Sequence, residues 1–284
     1  MAKKDVDRPK RVLFLRKVFK KIHSFDQSAI YYLVSRNNNS NEFAVLIHGL
    51  GTNNSLFRYE ESFLIYKGLN VINVDLRGHG FSENIKGKVT LEDYAKDIKC
   101  ILKEEKVAKA VLIGYSLGGF VSLKFYSDFP KLVKKMVLID ASYAVNLNTI
   151  RPIFIFIGLA LFGLLILPAR FFNVKAKQDV DFSKYKWRNV FLLIHQIGLA
   201  TSLRSLSYAI NAMLKENLSG VLKKVNIPTL IIEDSHDVIF SKKSFKTEHK
   251  KITKSELQII EGSHLAVLNK SDTLEKDILN FIRK

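Results

Sequence analysis

The stretch Ala110-Val111-Leu112-Ile113-Gly114-Tyr115-Ser116-Leu117-Gly118 decides how this chain folds. Its first four residues form a continuous apolar run, the pattern of a strand buried on both faces. A serine then stands between two glycines, and an apolar segment over 120–127 continues as a helix. Gly-x-Ser-x-Gly between a strand and a helix makes a tight, strained turn that lifts the serine hydroxyl above the sheet. Glycine is required at Gly114 and Gly118, where side chains would collide with the neighbouring strand and helix. The turn also leaves the Leu117 N–H at a helix start, aimed at a developing oxyanion. Ser116 is therefore the candidate nucleophile, and Leu117 a candidate oxyanion donor.

Strand and helix signals alternate outward from this point. Strands are expected over 29–34, at Phe43–Ile47, over 70–76 and over 136–139, then over 229–232 and 257–260. Thr90 can cap a helix reaching about Glu105, and the chain ends in a helix over roughly 272–282. This alternation predicts an α/β fold, with a mostly parallel central sheet, helices on both faces and an inserted helical cap. The expected organisation is a basic N-terminal segment at 1–27, a core made of 28–141 and 221–284, and an apolar helical cap at 142–220. Within the cap, residues 153–167 carry no polar side chain and are flanked by Pro152 and Pro168. As a helix they would measure about 22 Å, against about 30 Å of hydrocarbon. A crossing there would also separate the two halves of the sheet. Lining an acyl pocket, dipping into one leaflet and plain burial in the cap all remain open.

Among the 284 residues, 47% are hydrophobic and 25% charged, which suits a globular chain with a sizeable core. One cysteine cannot form an internal disulfide, so the expected setting is reducing and cytoplasmic. A net charge of +18 attracts nucleic acid and anionic lipid alike. The basic residues are scattered and form no nucleic-acid motif, so no nucleic-acid partner is expected. A solubilising surface and peripheral contact with an anionic membrane both stay open. Val12, Leu15, Phe19 and Ile22 recur at helical spacing among basic residues. They suit an amphipathic helix on a membrane or an element packed on the domain with its charges in water, and the second is preferred.

Ester-type chemistry needs a base for the serine, an acid behind the base and a second oxyanion donor. His48-Gly49-Leu50-Gly51 follows a strand where that donor belongs, and the Leu50 N–H is the candidate. His48 itself is expected to fix loop shape by hydrogen bonding. Glu261-Gly262-Ser263-His264 follows the last strand, from which a loop histidine can reach Ser116, making His264 the candidate base. His23, His79, His195, His236 and His249 have weaker contexts. Asp237, in the loop beyond the 229–232 strand, is the preferred acid, with Asp234 and Asp140 as alternatives. No metal or organic cofactor is called for, and no Cys/His cluster offers a metal site.

Taken in order, His48-Gly49-Leu50-Gly51, the segment from Val74 to Ser82, the serine turn, Asp237 and Gly262-Ser263-His264 resemble an α/β-hydrolase. The likeness is to the esterase, monoacylglycerol-lipase and lysophospholipase kind, and it covers residue 42 to the C-terminus apart from the cap. It implies ester or thioester hydrolysis through a serine-bound acyl intermediate. It also implies a structural turn at 75–82, with no catalytic role for Arg77 or His79. A glycine usually stands just ahead of the acid loop, where this chain has Asp234, which keeps Asp234 and Asp140 in play. A serine at the turn argues against the haloalkane dehalogenase and epoxide hydrolase branches. A C–C bond hydrolase, a peptidase and a non-catalytic membrane-associated binding protein remain alternatives. The apolar cap favours a lipid-like acyl substrate. Oligomeric state is not legible.

Overall fold

In the computed structural model the described residues are 17–37, 40–145, 181, 201–237, 239–262, 264, 267 and 271–284. Among them the strands are β1 (Lys17–His23), β2 (Ala29–Ser35), β3 (Phe43–Ile47), β4 (Asn70–Val74), β5 (Ala110–Tyr115), β6 (Val133–Ile139), β7 (Thr229–Asp234) and β8 (Ser255–Ile260). The helices are α1 (Arg58–Tyr66), α2 (Leu91–Glu104), α3 (Leu117–Asp128), α4 (Leu203–Lys215), α5 (Ser219–Leu222), α6 (Lys242–Lys251) and α7 (Ser271–Arg283). One sheet holds the strands in the order β1-β2-β4-β3-β5-β6-β7-β8. The β1–β2 and β2–β4 pairs are antiparallel, and the pairs from β4 to β8 are parallel.

The continuous apolar strands split their side chains between two cores. Val45, Ile47 and Leu112 face a layer with Ile98 of α2 and Phe120 of α3, whereas Leu46, Val111 and Ile113 face one with Leu64 of α1 and Ile278 of α7. Both faces are covered, which is why these strands show no polar alternation. Thr90 caps α2 through a reciprocal box: its hydroxyl accepts from Asp93 N–H, and the Asp93 carboxylate accepts from Thr90 N–H.

Where the N-terminal segment is described it is an element packed on the domain, the preferred reading, and it is a strand, not a helix. Lys17–His23 is an edge strand in register with β2, from Lys17 opposite Ser35 to His23 opposite Ala29. Period two replaces the helical period, with Lys17, Phe19, Lys21 and His23 outward and Val18 and Ile22 packed against the core. A strand wins because β2 offers an open row of N–H and C=O groups that only a strand can pair. The boundary drawn at 27/28 therefore falls inside a hairpin, and the sheet already includes Lys17. Of the expected cap, residues 146–180 and 182–200, including the apolar run, lie outside the described residues. Helices α1 and α6 have no counterpart in the sequence reading. In α6 only Phe245 is apolar among ten residues, too little to show a helical period.

The C-terminal ends of β3, β5, β7 and β8 open on one edge of the sheet, because these strands run parallel. His48-Gly49, Ser116, Asp237 and His264 all follow those ends. Among the described residues, no helix is long and apolar enough to cross a membrane.

Candidate active site

Ser116 sits between β5 and α3 with φ 50° and ψ −113°, a left-handed backbone that non-glycine residues rarely adopt. Its N–H donates to the Ile139 carbonyl of β6 at 2.9 Å. The flanking glycines are sterically required. A Cβ on Gly114 would lie 2.3 Å from the Gly118 carbonyl oxygen, and one on Gly118 would lie 1.9 Å from the Ile47 oxygen. Helix α3 and strand β3 thus close on the turn from both sides. Leu117 is the first residue of α3, where a backbone N–H has no partner within the helix.

His264 brings the chain's far end to this turn. Its Nε2 lies 3.2 Å from Ser116 Oγ, and its Nδ1 lies 2.9 Å from Asp237 Oδ2. A carboxylate can only accept, so Nδ1 carries the proton and Nε2 is left to accept from the serine hydroxyl. The other Asp237 oxygen, Oδ1, accepts from Ile239 N–H at 2.6 Å and Phe240 N–H at 3.1 Å. The acid loop and the histidine loop are also joined directly, since His236 N–H donates to the Gly262 carbonyl at 2.9 Å. The Asp237 side chain is 2% exposed and that of His264 11%, so the pair is nearly dry while the imidazole still meets the mouth of the site.

The rival acids lie behind this line. Asp140, fully buried, accepts from Asp234 N–H at 2.8 Å. Burial first, then the neighbouring Asp234 charge, hold Asp140 well above the ordinary carboxylate range. Of the three candidates, the structure places Asp237 on the imidazole.

On the opposite side, His48 is fully buried and shapes the loop after β3. Its Nε2 accepts from Leu76 N–H at 3.0 Å, so its proton is on Nδ1, which donates to the Gly49 carbonyl at 2.7 Å. The Thr52 hydroxyl donates to the same carbonyl at 2.9 Å. A trans peptide is planar, so holding the Gly49 C=O also turns the Leu50 N–H the opposite way. Gly49 borders the serine: a Cβ there would lie 3.4 Å from Ser116 Cβ. Gly49, the residue before Leu50, and Leu117 thus adjoin Ser116. Burial pushes the His48 imidazole down to about 3, so it stays neutral.

Arg77 and His79 are bonded within the fold. Arg77 makes a two-point contact with Asp97, at 2.7 and 2.6 Å, and binds Asp26 at 2.9 Å, tying the β1–β2 turn to α2. His79 Nδ1 bonds the Arg77 carbonyl at 3.0 Å. His23, His236 and His249 bond locally to the Gln27 carbonyl, Ser235 and Ser255, and His195 lies outside the described residues. The sequence reading missed the contribution of two side chains. The Phe240 ring lies 5.7 Å from the His264 imidazole, and the Tyr115 hydroxyl donates to the His264 carbonyl. Tyr115 stood in view inside the serine turn, but nothing in one sequence reports a contact across so long a stretch of chain.

The family model for the α/β-hydrolase fold matches residues 45–180. An α/β-hydrolase superfamily protein of Bacillus subtilis is 26% identical over 201 residues, covering 69% of this chain and 74% of that protein. An uncharacterised protein of Mycobacterium tuberculosis is 32% identical over 97 residues, 34% of this chain; the match spans only 28% of that relative's length. Among solved structures, an esterase from Exiguobacterium antarcticum superposes with a TM-score of 0.77 at 22% identity, covering 94% of this chain and all of the other. At that identity the likeness speaks to the fold alone.

Proposed function

Because the chain belongs to the α/β-hydrolase superfamily, we propose that it is a serine hydrolase cleaving a carboxylic ester, with a lipid-like acyl group, through an acyl-enzyme intermediate. The observation that carries this reading is the line from Ser116 Oγ through His264 to Asp237, at 3.2 and 2.9 Å. Ser116 Oγ attacks the ester carbonyl carbon as His264 Nε2 takes its proton. The imidazolium so formed is stabilised by Asp237, whose geometry is fixed by two backbone N–H groups. The carbonyl oxygen becomes an oxyanion between the Leu50 and Leu117 N–H groups. His264 gives its proton to the leaving alcohol, then takes one from water as water attacks the acyl-serine, releasing the acid and restoring the serine.

The lipid-like preference rests on the uninterrupted apolar run at 153–167. Peripheral contact with an anionic membrane belongs to the same reading, as a way to reach such a substrate. A fluorophosphonate should label the wild type and leave Ser116→Ala unlabelled, with hydrolysis falling on the order of 10⁴-fold or more. Equal labelling of the two would sink the reading. In a panel of esters graded by acyl length, long chains should be turned over faster than acetyl, and the reverse order would remove the lipid-like assignment.

A further inference from the structure

Resting on that reading of Ser116, His264 and Asp237, we propose that Tyr115 is a positioning residue whose hydroxyl holds the His264 main chain where its imidazole can serve the serine. Tyr115 ends β5 and is bonded to Ser116, yet its side chain points to the other face of the sheet, in the layer with Ile113 and Val267. From there its hydroxyl donates to the His264 carbonyl, and its ring lies 5.3 Å from the imidazole, tilted by 37°. The ring also fills the space beside Gly49, where an added Cβ would lie 2.7 Å from Tyr115 Cδ1. One side chain therefore meets the base, borders the oxyanion loop and adjoins the nucleophile.

The ring and the hydroxyl do different work. Packing against Gly49 and the imidazole needs only an aromatic ring, which phenylalanine would supply. The hydroxyl alone fixes the histidine backbone from the sheet side, because a carbonyl accepts and cannot donate in return. Asp237 aligns the imidazole about its own bonds, whereas Tyr115 fixes the point from which the side chain extends. Burial, joined by the charges of Asp140, Asp237 and Asp234, raises the Tyr115 phenol well above its usual range. It therefore stays an O–H donor wherever the imidazole works as a base.

The test is Tyr115→Phe, titrated with a fluorophosphonate so that kcat is counted per reactive serine. Expected is a fall in per-site kcat of about tenfold, with KM within about twofold. A purely structural tyrosine would lower the number of titrated sites and leave per-site kcat unchanged. Counting by sites keeps the result readable if part of the variant misfolds. Tyr115→Leu, which removes the ring as well, should lose more per site than Tyr115→Phe. Full per-site kcat in Tyr115→Phe, or a loss confined to KM, overturns the proposal. If the wild type takes no probe, the hydrolase reading itself fails, which is a different result.

Discussion

His264 Nδ1 lies 2.9 Å from Asp237 Oδ2, and the N–H groups of Ile239 and Phe240 occupy the carboxylate's other oxygen. Asp237 is thereby held from behind while it holds the imidazole in front. Asp237→Asn would offer an amide whose N–H₂ can face Nδ1 and force the proton onto Nε2, the atom that must accept from Ser116. Per-site kcat should fall by roughly 10³–10⁴-fold. Asp140→Asn keeps an acceptor for the Asp234 N–H and should stay within about tenfold of wild type. A larger loss in Asp140→Asn than in Asp237→Asn would move the acid to the end of β6.

The serine turn gives a steric prediction with its own control. Gly118→Ala places a methyl 1.9 Å from the Ile47 oxygen, which belongs to strand backbone and cannot move aside cheaply. The variant should lose more than about 3 kcal/mol of stability, or most of its titratable serine. Gly87 has no atom within 4 Å of an added Cβ, so Gly87→Ala should change the unfolding free energy by less than about 0.5 kcal/mol. Equal behaviour of the two in denaturant titrations would mean that the turn is looser than its geometry implies.

How far the sequence could be read follows from the same packing. Strands β3 and β5 were plain because both faces are buried, leaving unbroken apolar runs at Phe43–Ile47 and 110–113. Strand β1 was ambiguous, since Phe19 and Ile22 satisfy a helical spacing and the deciding partner, β2, is a tertiary fact. Asp237 could be preferred over Asp234 and Asp140 by position, but only the fold shows that the latter two bond each other. Tyr115 was invisible as a partner of His264, because periodicity and motif spacing carry no information on a hydroxyl's reach across the sheet.

Buried titratable groups predict two opposed pH slopes. Burial takes His48 down to about 3 and His79 to about 4, against 6.5 when exposed. Between those values the unfolded chain binds more protons than the folded one, so stability falls as pH drops below about 6.5. Glu248 is fully buried, with no hydrogen-bond partner for either oxygen among the described residues, and burial raises it well above 4.5. Here the folded state binds more protons, so stability falls as pH rises above about 4.5. Each group contributes at most about 1.4 kcal/mol per pH unit, on the order of 2–4 °C in Tm. In thermal melts, His79→Asn should flatten the acid slope and Glu248→Gln the slope above pH 5. Unchanged slopes in both would show that these side chains gain water or partners in solution.

The last prediction concerns the charge. Lys223 and the α6 lysines Lys242, Lys243, Lys246, Lys250 and Lys251 line one open groove of about 760 Å³. Helix α6 exposes no acid to offset them, because its one carboxyl, Glu248, is buried. With a chain charge of +18, this face should carry the strongest attraction to an anionic surface. The wild type should sediment with vesicles containing phosphatidylserine, not with phosphatidylcholine alone, and should be released as salt shortens the screening length. A basic residue near such a surface contributes about 1 kcal/mol, so Lys242→Gln, Lys246→Gln and Lys250→Gln together should weaken binding about 100-fold. Hydrolysis of a water-soluble ester should stay within about twofold, since none of the three touches Ser116, His264 or Asp237. Undiminished binding by the triple variant would place the contact elsewhere. If the wild type ignores the anionic vesicles, the lysines serve solubility alone.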